Sequence, residues 1–293
     1  MNCSKITLDV LACKKANIIK DNVSFWKNYY TNEKLYFRYL RDVKYYDASK
    51  NLVREFEKSD DYIISTFDKD FPIINSNIPK KSDKPYILFC RGNRDLLKDL
   101  NRNICILGSK RSDEILIERE KSVINALIKT NPSKKELANV ECQKKELVIV
   151  SDLENNRHSL EEALRINAKV IVVIPYSFKK ISDKNEEICD EIIKKGGLII
   201  TECADFMDPK ENVDKLKSIL SKCVILIYGE NSDEDLIKNL DFAKKLNIDR
   251  YVLFNKEIDE CEFRETIYKE KDVKVLSQTS IQNINILINS NLI

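Results

Sequence analysis

The feature that most constrains the fold of this chain is the repeated alternation of short apolar runs with polar stretches of helical length. The runs are rich in Ile and Val and are almost continuously apolar. This composition is typical of strands that are buried on both faces of a parallel sheet. We therefore predict strands at Tyr86–Cys90, Ile104–Gly108, Leu147–Ser151, Val170–Ile174, Leu198–Thr201, Cys223–Tyr228 and Tyr251–Phe254.

Amphipathic stretches that are long enough for crossover helices lie between most of these runs. Several of them follow a Ser or a Ser-Asp pair, which is typical of the start of a helix. Strands that alternate with helices in this way predict an α/β fold with a doubly wound, mostly parallel Rossmann-like sheet. The predicted helices are Asp113–Lys129, Leu160–Asn167, Asn185–Lys195, Val213–Leu220 and Glu234–Leu246.

Changes of pattern along the chain indicate three parts. Residues 1–65 predict a small helical N-terminal region, whose many aromatic side chains we interpret as its core, with base stacking as the alternative. Residues 66–256 form the predicted Rossmann-like domain and begin with a proline-punctuated, extended connector over Asp70–Pro85. Residues 257–293 are a C-terminal extension of unclear fold. It contains one strand-like and one helix-like pattern, at Val273–Leu276 and Ile281–Ile288.

Composition limits the possible functions. One third of the 293 residues are charged, yet the net charge is only +2, so any positive charge that binds nucleic acid must be concentrated on one face. The nine cysteines form no C-x-x-C pair and His158 is the single histidine, so we predict no metal site and a reducing compartment. No signal peptide and no run of about 20 apolar residues is present, so we expect a cytoplasmic protein with no membrane partner.

The most informative glycine is Gly108, which ends a predicted strand and is followed by Ser109, Lys110 and Arg111 before a helix. A glycine at a strand-to-helix turn lets backbone amides approach a phosphate, and the helix N-terminus favours the anion. Ser109 adds a hydroxyl donor, and Lys110 and Arg111 add charge. The alternative is a tight turn with two solvated cations. Neither a dinucleotide nor a nucleoside triphosphate motif is present, so no cofactor is expected.

Three other segments at predicted strand or helix ends contain residue types that could bind or react. Arg157 follows a strand and is a candidate for a phosphate contact, whereas its neighbour His158 is interpreted as an ordinary surface or packed residue. Glu202 ends a strand but has no second carboxylate at a known spacing, so no catalytic residue is predicted. Gly196-Gly197 is interpreted as a helix C-cap that leads into a strand.

The order of these segments resembles the DNA-processing protein A (DprA/Smf) family. The resemblance begins with an acidic-aromatic-Pro element and a Pro-flanked strand over Asp70–Asn93, and it extends in the family's order to about Lys256. ICILGSKR is similar to the family's first strand and G-S-R turn, and KKGGLIITE is similar to its G-x-x-I-S-E segment. The other similar segments are LVIVSDL, KVIVVIP and LSKCVILIYGE.

The sequence departs from the family pattern at four positions. Ser151–His158 lacks the glycines of the family's S-G-x-A-x-G-x-D stretch, and its histidine is out of register. Val213-Asp214-Lys215 stands where the family has R-N-R, so only Lys215 retains a positive charge. Asn231–Glu234 replaces a small, neutral turn with an acidic one. Lys110 stands where the G-S-R turn has Arg, which keeps the charge but not its geometry.

The resemblance implies a protein that binds single-stranded DNA, forms a homodimer and helps to load a RecA-type recombinase during transformation, and that is not an enzyme. On this reading Gly108, Ser109, Lys110 and Arg111 bind backbone phosphates, and Arg157 and Lys215 extend the track. Two alternatives stay open. One is a nucleotide-binding Rossmann-like enzyme of the related superfamily. The other is a degenerate paralogue that acts as a protein-interaction module.

Overall fold

The computed structural model describes most of the chain. The described residues are 4–31, 43–59, 61–73, 78–108, 114–129, 146–155, 157–210, 213–228, 234–253, 265, 267, 269, 272–277, 280–282 and 284. None of the described helices combines the length and the apolar character that a membrane span requires.

A single nine-stranded sheet forms the centre of the structure, in the order β1-β2-β6-β5-β4-β3-β7-β8-β9. Neighbouring strands are parallel along the whole run β6-β5-β4-β3-β7-β8-β9, and β2 is antiparallel to both of its neighbours, β1 and β6. The doubly wound, mostly parallel sheet is therefore confirmed, and the seven predicted runs form β2 to β8. The strands are β1 Tyr62–Ser65, β2 Ile87–Gly92, β3 Asn103–Gly108, β4 Val148–Ser151, β5 Lys169–Val173, β6 Leu198–Thr201, β7 Cys223–Tyr228, β8 Asp249–Val252 and β9 Val273–Val275.

All five predicted crossover helices are present, and each connects two consecutive strands between β3 and β8. They are α4 Glu114–Lys129, α5 Arg157–Arg165, α6 Asp183–Lys194, α7 Asp214–Ile219 and α8 Glu234–Lys245. Among the described residues of the N-terminal region, three further helices precede the sheet, as its helical pattern predicts: α1 Lys5–Lys15, α2 Asn22–Thr31 and α3 Val43–Lys58.

The two faces of the sheet are covered by different helices. Ile104 and Ile106 of β3 belong to an apolar cluster with side chains of α4, α5 and α6, whereas Cys105 and Leu107 belong to a cluster with α8. Side chains of α7 pack on the same face as α8, against β4, β5 and β6. The winding direction therefore reverses between β3 and β7, which lie side by side. This is the topological switch point of the sheet.

The N-terminal helices pack on the face that α4 to α6 cover. Phe25 and Trp26 of α2 are buried, and the Phe25 ring stacks on Tyr86 with centroids 4.2 Å apart. The Trp26 indole N–H donates to the Lys84 carbonyl oxygen at 2.9 Å. For these two aromatic residues the prediction of a core role is confirmed. The strands β1 and β9, which come from outside residues 66–256, extend the sheet at its two edges.

Candidate nucleic-acid interface

The carboxyl edge of the sheet at the switch point is where ligands of doubly wound folds bind. Gly108 is the last residue of β3 and lies opposite Tyr228 at the end of β7, after a register shift between Leu107 and Gly108. Both residues are buried. The structure thus places Gly108 where the sequence predicts it, at the edge from which the chain turns toward α4. Ser109, Lys110 and Arg111 lie outside the described residues, so their roles stay predictions.

The loop after β4, next to the switch point, satisfies its own backbone donors. Asp152 is 2% exposed, and its Oδ1 accepts hydrogen bonds from the amides of Glu154 at 2.8 Å and Asn155 at 2.6 Å. A carboxylate that accepts two amide hydrogen bonds occupies the donors that a phosphate oxygen would otherwise use. The amides of Glu154 and Asn155 are therefore already occupied by an internal acceptor.

A buried lysine holds Asp152 in place. The Lys217 ammonium on α7 lies 2.6 Å from Asp152 Oδ2 and 2.6 Å from Asp214 Oδ1, and its side chain is completely buried. The Asn239 amide of α8 donates to the second Asp214 oxygen at 2.7 Å. Lys217, Asp152, Asp214 and Asn239 form what we call the Lys217 network. Sequence reasoning missed it, because a lysine on an amphipathic helix normally faces solvent.

The charges of this network shift the pKa values of Asp152 and Lys217. Burial opposes ionisation of Asp152, but the Lys217 ammonium and the hydrogen bonds that the carboxylate accepts hold its pKa below the ordinary value. Burial likewise disfavours the charged form of Lys217, and the two carboxylates outweigh burial, so the pKa of Lys217 is raised. Asp152 and Lys217 are therefore ionised at neutral pH, and their ion pair fastens the β4 loop to α7.

The start of α5 also has an internal partner. Glu120 of α4 is buried, and its Oε2 accepts from the backbone amide of Ser159 at 2.9 Å and from the Ser159 hydroxyl at 2.8 Å. Burial raises the pKa of Glu120, while its hydrogen bonds to Ser159 oppose that rise. A carboxylate at a helix N-terminus fills a position that is favourable for an anion. A phosphate at α5 would have to compete with this side chain.

Arg157, the first residue of α5, lies at the predicted edge but is engaged. Its Nε donates to Glu161 Oε1 at 2.8 Å and its Nη1 donates to Asn185 Oδ1 at 2.9 Å. The side chain is 29% exposed. His158 Nδ1 lies 3.6 Å from the same Glu161 carboxylate, at the protein surface. Arg157 can reach a phosphate from this position by exchanging one of these partners.

Lys215 approaches the same edge from the opposite face of the sheet. It lies in the first turn of α7, which begins at the carboxyl edge because it leads back to the start of β7. Its ammonium lies 2.8 Å from Asp83 Oδ1 and 5.7 Å from the centre of the Phe242 ring, and the side chain is 43% exposed. The structure therefore brings Gly108, Arg157 and Lys215 to one edge, with α5 and α7 on different faces.

Two other positions noted in the sequence have ordinary structural partners. Glu202 lies 3.5 Å from the Asn22 amide nitrogen and 3.7 Å from Lys210 Nζ, so it connects β6 to α2. Gly196 follows α6 with a φ of 73°, which confirms the predicted C-cap. Within the described residues, His, Cys, Asp and Glu side chains form no group of three that could hold a metal ion.

Comparison with known proteins places this architecture among DprA structures. No family model matches the sequence, and no curated protein matches it. The chain is similar to DNA processing protein A (DprA) from Streptococcus pneumoniae, with a TM-score of 0.64 and 18% identity over 98% of each chain. It is also similar to DprA from Helicobacter pylori, with a TM-score of 0.56 and 21% identity over 78% of this chain and 96% of that one. The latter structure is described by its unique single-stranded DNA binding mode. At these identities the likeness shows a DprA-like fold.

Proposed function

We propose that the protein binds single-stranded DNA through backbone phosphates at the carboxyl edge of its sheet. The observation that carries this proposal is the position of Gly108, which ends β3 at the topological switch point of a DprA-like fold. Ligands of open α/β sheets collect at this point. The single-stranded DNA binding described for the Helicobacter pylori DprA supports the choice of ligand.

The chemistry concentrates phosphate binding at the turn after β3. The amides of Glu154 and Asn155 already bind Asp152, and the start of α5 already binds Glu120. The Gly108–Arg111 turn has the backbone amides, the Ser109 hydroxyl and the two cations that a phosphate requires. Arg157 and Lys215 extend the track when they exchange Glu161 or Asp83 for a phosphate oxygen.

The test is a titration with a labelled oligonucleotide, single- and double-stranded, at two salt concentrations. We expect tighter binding of the single strand without strong sequence preference, and affinity that falls steeply with salt because phosphate contacts release counterions. Equal affinity for both forms, or affinity that salt does not change, is the result that contradicts the proposal.

We further propose a binding role without catalysis, in which a cytoplasmic homodimer presents single-stranded DNA to a RecA-type recombinase during transformation. These finer assignments are supported by the ordered resemblance over Asp70–Lys256. The test for the partner is pull-down of a purified RecA-type recombinase with and without single-stranded DNA. No capture under either condition rejects the recombinase assignment while leaving DNA binding intact.

A protein-interaction module is the second candidate. The observation that favours it is the pairing of the outer cations, because Arg157 contacts Glu161 and Lys215 contacts Asp83. Ion-paired cations form a mixed surface rather than a basic groove. A protein that fails to bind the oligonucleotide at low salt, where phosphate contacts are strongest, supports this candidate over DNA binding.

A further inference from the structure

A groove runs between helix α3 and the segment that follows β6. Three adjoining cavities of about 310, 420 and 500 Å³ form it. The first and second share Glu55, Lys179 and Asp205, and the second and third share Lys15 and Phe206. The three cavities therefore follow one another along α3, and the ion pairs of Lys179 with Glu55 and Asp205 lie where the first meets the second.

The charges at the first end of this groove are paired. The Lys179 ammonium lies 3.2 Å from Glu55 and 3.0 Å from Asp205. The Arg91 guanidinium binds Asp61 through two nitrogens, at 2.9 Å and 2.8 Å. Cations that are matched in this way leave little net charge to attract a ligand.

The opposite end has a different character. It is lined by three lysines, Lys14, Lys15 and Lys20, and by one carboxylate, Asp208, and we call it the Lys14 cleft. The ammonium of Lys14 donates to the Lys20 carbonyl oxygen and that of Lys15 donates to the Ala48 carbonyl oxygen. A carbonyl oxygen accepts a hydrogen bond without neutralising the charge. The carboxylates of Asp21 and Asp208 near Lys14, and of Glu55 and Asp205 near Lys15, offset part of this charge, and no ion pair holds either ammonium among the contacts of the described residues.

The surroundings of Lys14 and Lys15 disfavour their charged forms. Burial lowers the pKa of Lys14, and the nearby Lys210 ammonium lowers it further, while Asp21 and Asp208 oppose the decrease. Burial also lowers the pKa of Lys15. An anion in the cleft would offset the repulsion between Lys14 and Lys210, because an opposite charge within a few ångströms favours the charged form.

The Lys14 cleft also contains an exposed aromatic ring. Phe206 is 39% exposed, and the Lys15 ammonium lies 5.0 Å from the centre of its ring. Large apolar side chains in such positions lose water contact only when another molecule covers them. An aromatic ring beside several cations is the combination that binds single-stranded nucleic acid, since bases stack on the ring and phosphates pair with the cations.

We infer that the Lys14 cleft is a second contact site for single-stranded DNA, in which Lys14, Lys15 and Lys20 bind phosphates and Phe206 stacks on a base. The inference rests on the proposed function and assigns part of the DNA path to the N-terminal helices. Phe206 follows β6, whose carboxyl end lies at the same edge as Gly108. Three strand spacings separate β6 from β3 in the sheet, or about 14 Å. One oligonucleotide can therefore contact both sites.

The experiment compares three variants of the full-length chain for binding to a labelled single-stranded oligonucleotide. The first is Lys14→Gln/Lys15→Gln/Lys20→Gln, and the second is Phe206→Leu, which keeps an apolar side chain but removes the ring. The matched control, Lys238→Gln/Lys244→Gln/Lys245→Gln, removes three cations from α8. Thermal unfolding of each variant checks that the fold is kept.

We expect the Lys14 cleft variant to lower the salt slope by about 0.7 for each lost phosphate contact. Phe206→Leu should weaken binding roughly fivefold or more, as loss of one stacked base does. An oligonucleotide with abasic positions should bind the parent more weakly, and Phe206→Leu should cost less with this ligand than with the intact one. The α8 control should bind like the parent.

Two results separate the possible failures. If the parent does not bind single-stranded DNA, the proposed function is wrong and the second site falls with it. If the parent binds single-stranded DNA and both cleft variants bind it as tightly as the parent does, the DNA path lies elsewhere and only the inference about the cleft is wrong. If Phe206→Leu weakens binding of the intact and the abasic oligonucleotide by the same factor, the stacking role of Phe206 is wrong.

Discussion

Substitution of Lys217 by Met should destabilise the protein severely. The change removes the ammonium that lies 2.6 Å from both Asp152 and Asp214 and leaves two carboxylates buried beneath the switch point. Met has a similar length and fills most of the volume, so loss of packing is a small part of the effect. The prediction therefore tests the electrostatics of the Lys217 network.

The remaining hydrogen bonds set the size of the effect. Without Lys217, Asp152 still accepts from two backbone amides and Asp214 still accepts from Asn239. Removing one partner of a buried ion pair costs about 3–5 kcal/mol of the free energy of unfolding, against a total of roughly 5–15 kcal/mol for a typical domain. Because Lys217 serves two carboxylates while other donors compensate only in part, we expect Lys217→Met to fall within that range.

Urea unfolding at neutral pH measures the effect, with Lys215→Met as the matched control on the same helix. Lys215 forms a single ion pair with Asp83 and is 43% exposed. Screening by solvent limits such a pair to about 0–1 kcal/mol. The variant Lys217→Met/Asp152→Asn/Asp214→Asn should recover much of the lost stability, because it replaces the buried charges as a group.

The pH dependence has a definite sign. The pKa of Asp152 is lowered in the folded state, so its stabilising contribution is complete above the unfolded value of about 3.9 and is lost as the pH falls through the lower folded value. In Lys217→Met the cation is absent, so the burial that opposes ionisation of Asp152 is no longer outweighed by it and the pKa of Asp152 rises. The stability difference between parent and variant should therefore shrink as the pH falls toward about 4. Equal costs for Lys217→Met and Lys215→Met, or a difference that grows in acid, refute this reasoning.

Three further outcomes are expected. Lys110→Gln/Arg111→Gln should change the free energy of unfolding by no more than roughly 0.5 kcal/mol. It should reduce the salt slope of DNA binding by about one unit per lost phosphate contact. The control Lys244→Gln/Lys245→Gln should bind DNA like the parent. Parental binding by the first variant moves the phosphate track to Arg157 and Lys215. Sedimentation at micromolar concentration should show a dimer, and a monomer alone rejects that assignment. In urea unfolding, Gly92→Ala should lower the free energy of unfolding more than Gly196→Ala does. A Cβ on Gly92 would lie 2.5 Å from the Gly197 carbonyl oxygen, whereas the nearest atom to a Cβ on Gly196 is the flexible Lys169 ammonium at 3.0 Å. Equal losses of stability contradict this steric reason.

The sheet was predictable because its strands are buried on both faces. Continuous apolar runs such as Cys223–Tyr228 identify these strands without knowledge of their neighbours, and the polar helices between them fix a parallel arrangement. The short strand β1 was not predicted, since four residues between polar stretches give little periodic signal. The pattern at Val273–Leu276 indicated β9, but its pairing with β8 depends on tertiary structure.

The sequence places Gly108 and Arg157 at the carboxyl edge of the sheet, because Gly108 ends one predicted strand and Arg157 follows another. The Lys217 network was not predicted, because its ion pair joins positions 65 residues apart. Nothing in the local sequence distinguishes Lys217 from the exposed Lys215 two residues earlier. The Lys14 cleft was not predicted from the sequence for a related reason. Lysines in the last turn of α1 are explained by the helix dipole alone, and only the fold brings Phe206 beside them.

The internal partners at the carboxyl edge also explain why Gly108 should dominate phosphate binding. Asp152 and Glu120 place two buried carboxyl groups on either side of the β4–α5 connection, where they accept from backbone amides of the loop and of α5. A phosphate at that connection would have to displace a carboxylate and separate Asp152 from Lys217. At the end of β3 the proposed site instead offers a phosphate the Ser109 hydroxyl and the two cations that the sequence places directly after Gly108. On the proposed function, the partners that stabilise the β4–α5 connection would therefore direct a polyanion toward the end of β3, and from there along the edge toward β6 and the Lys14 cleft.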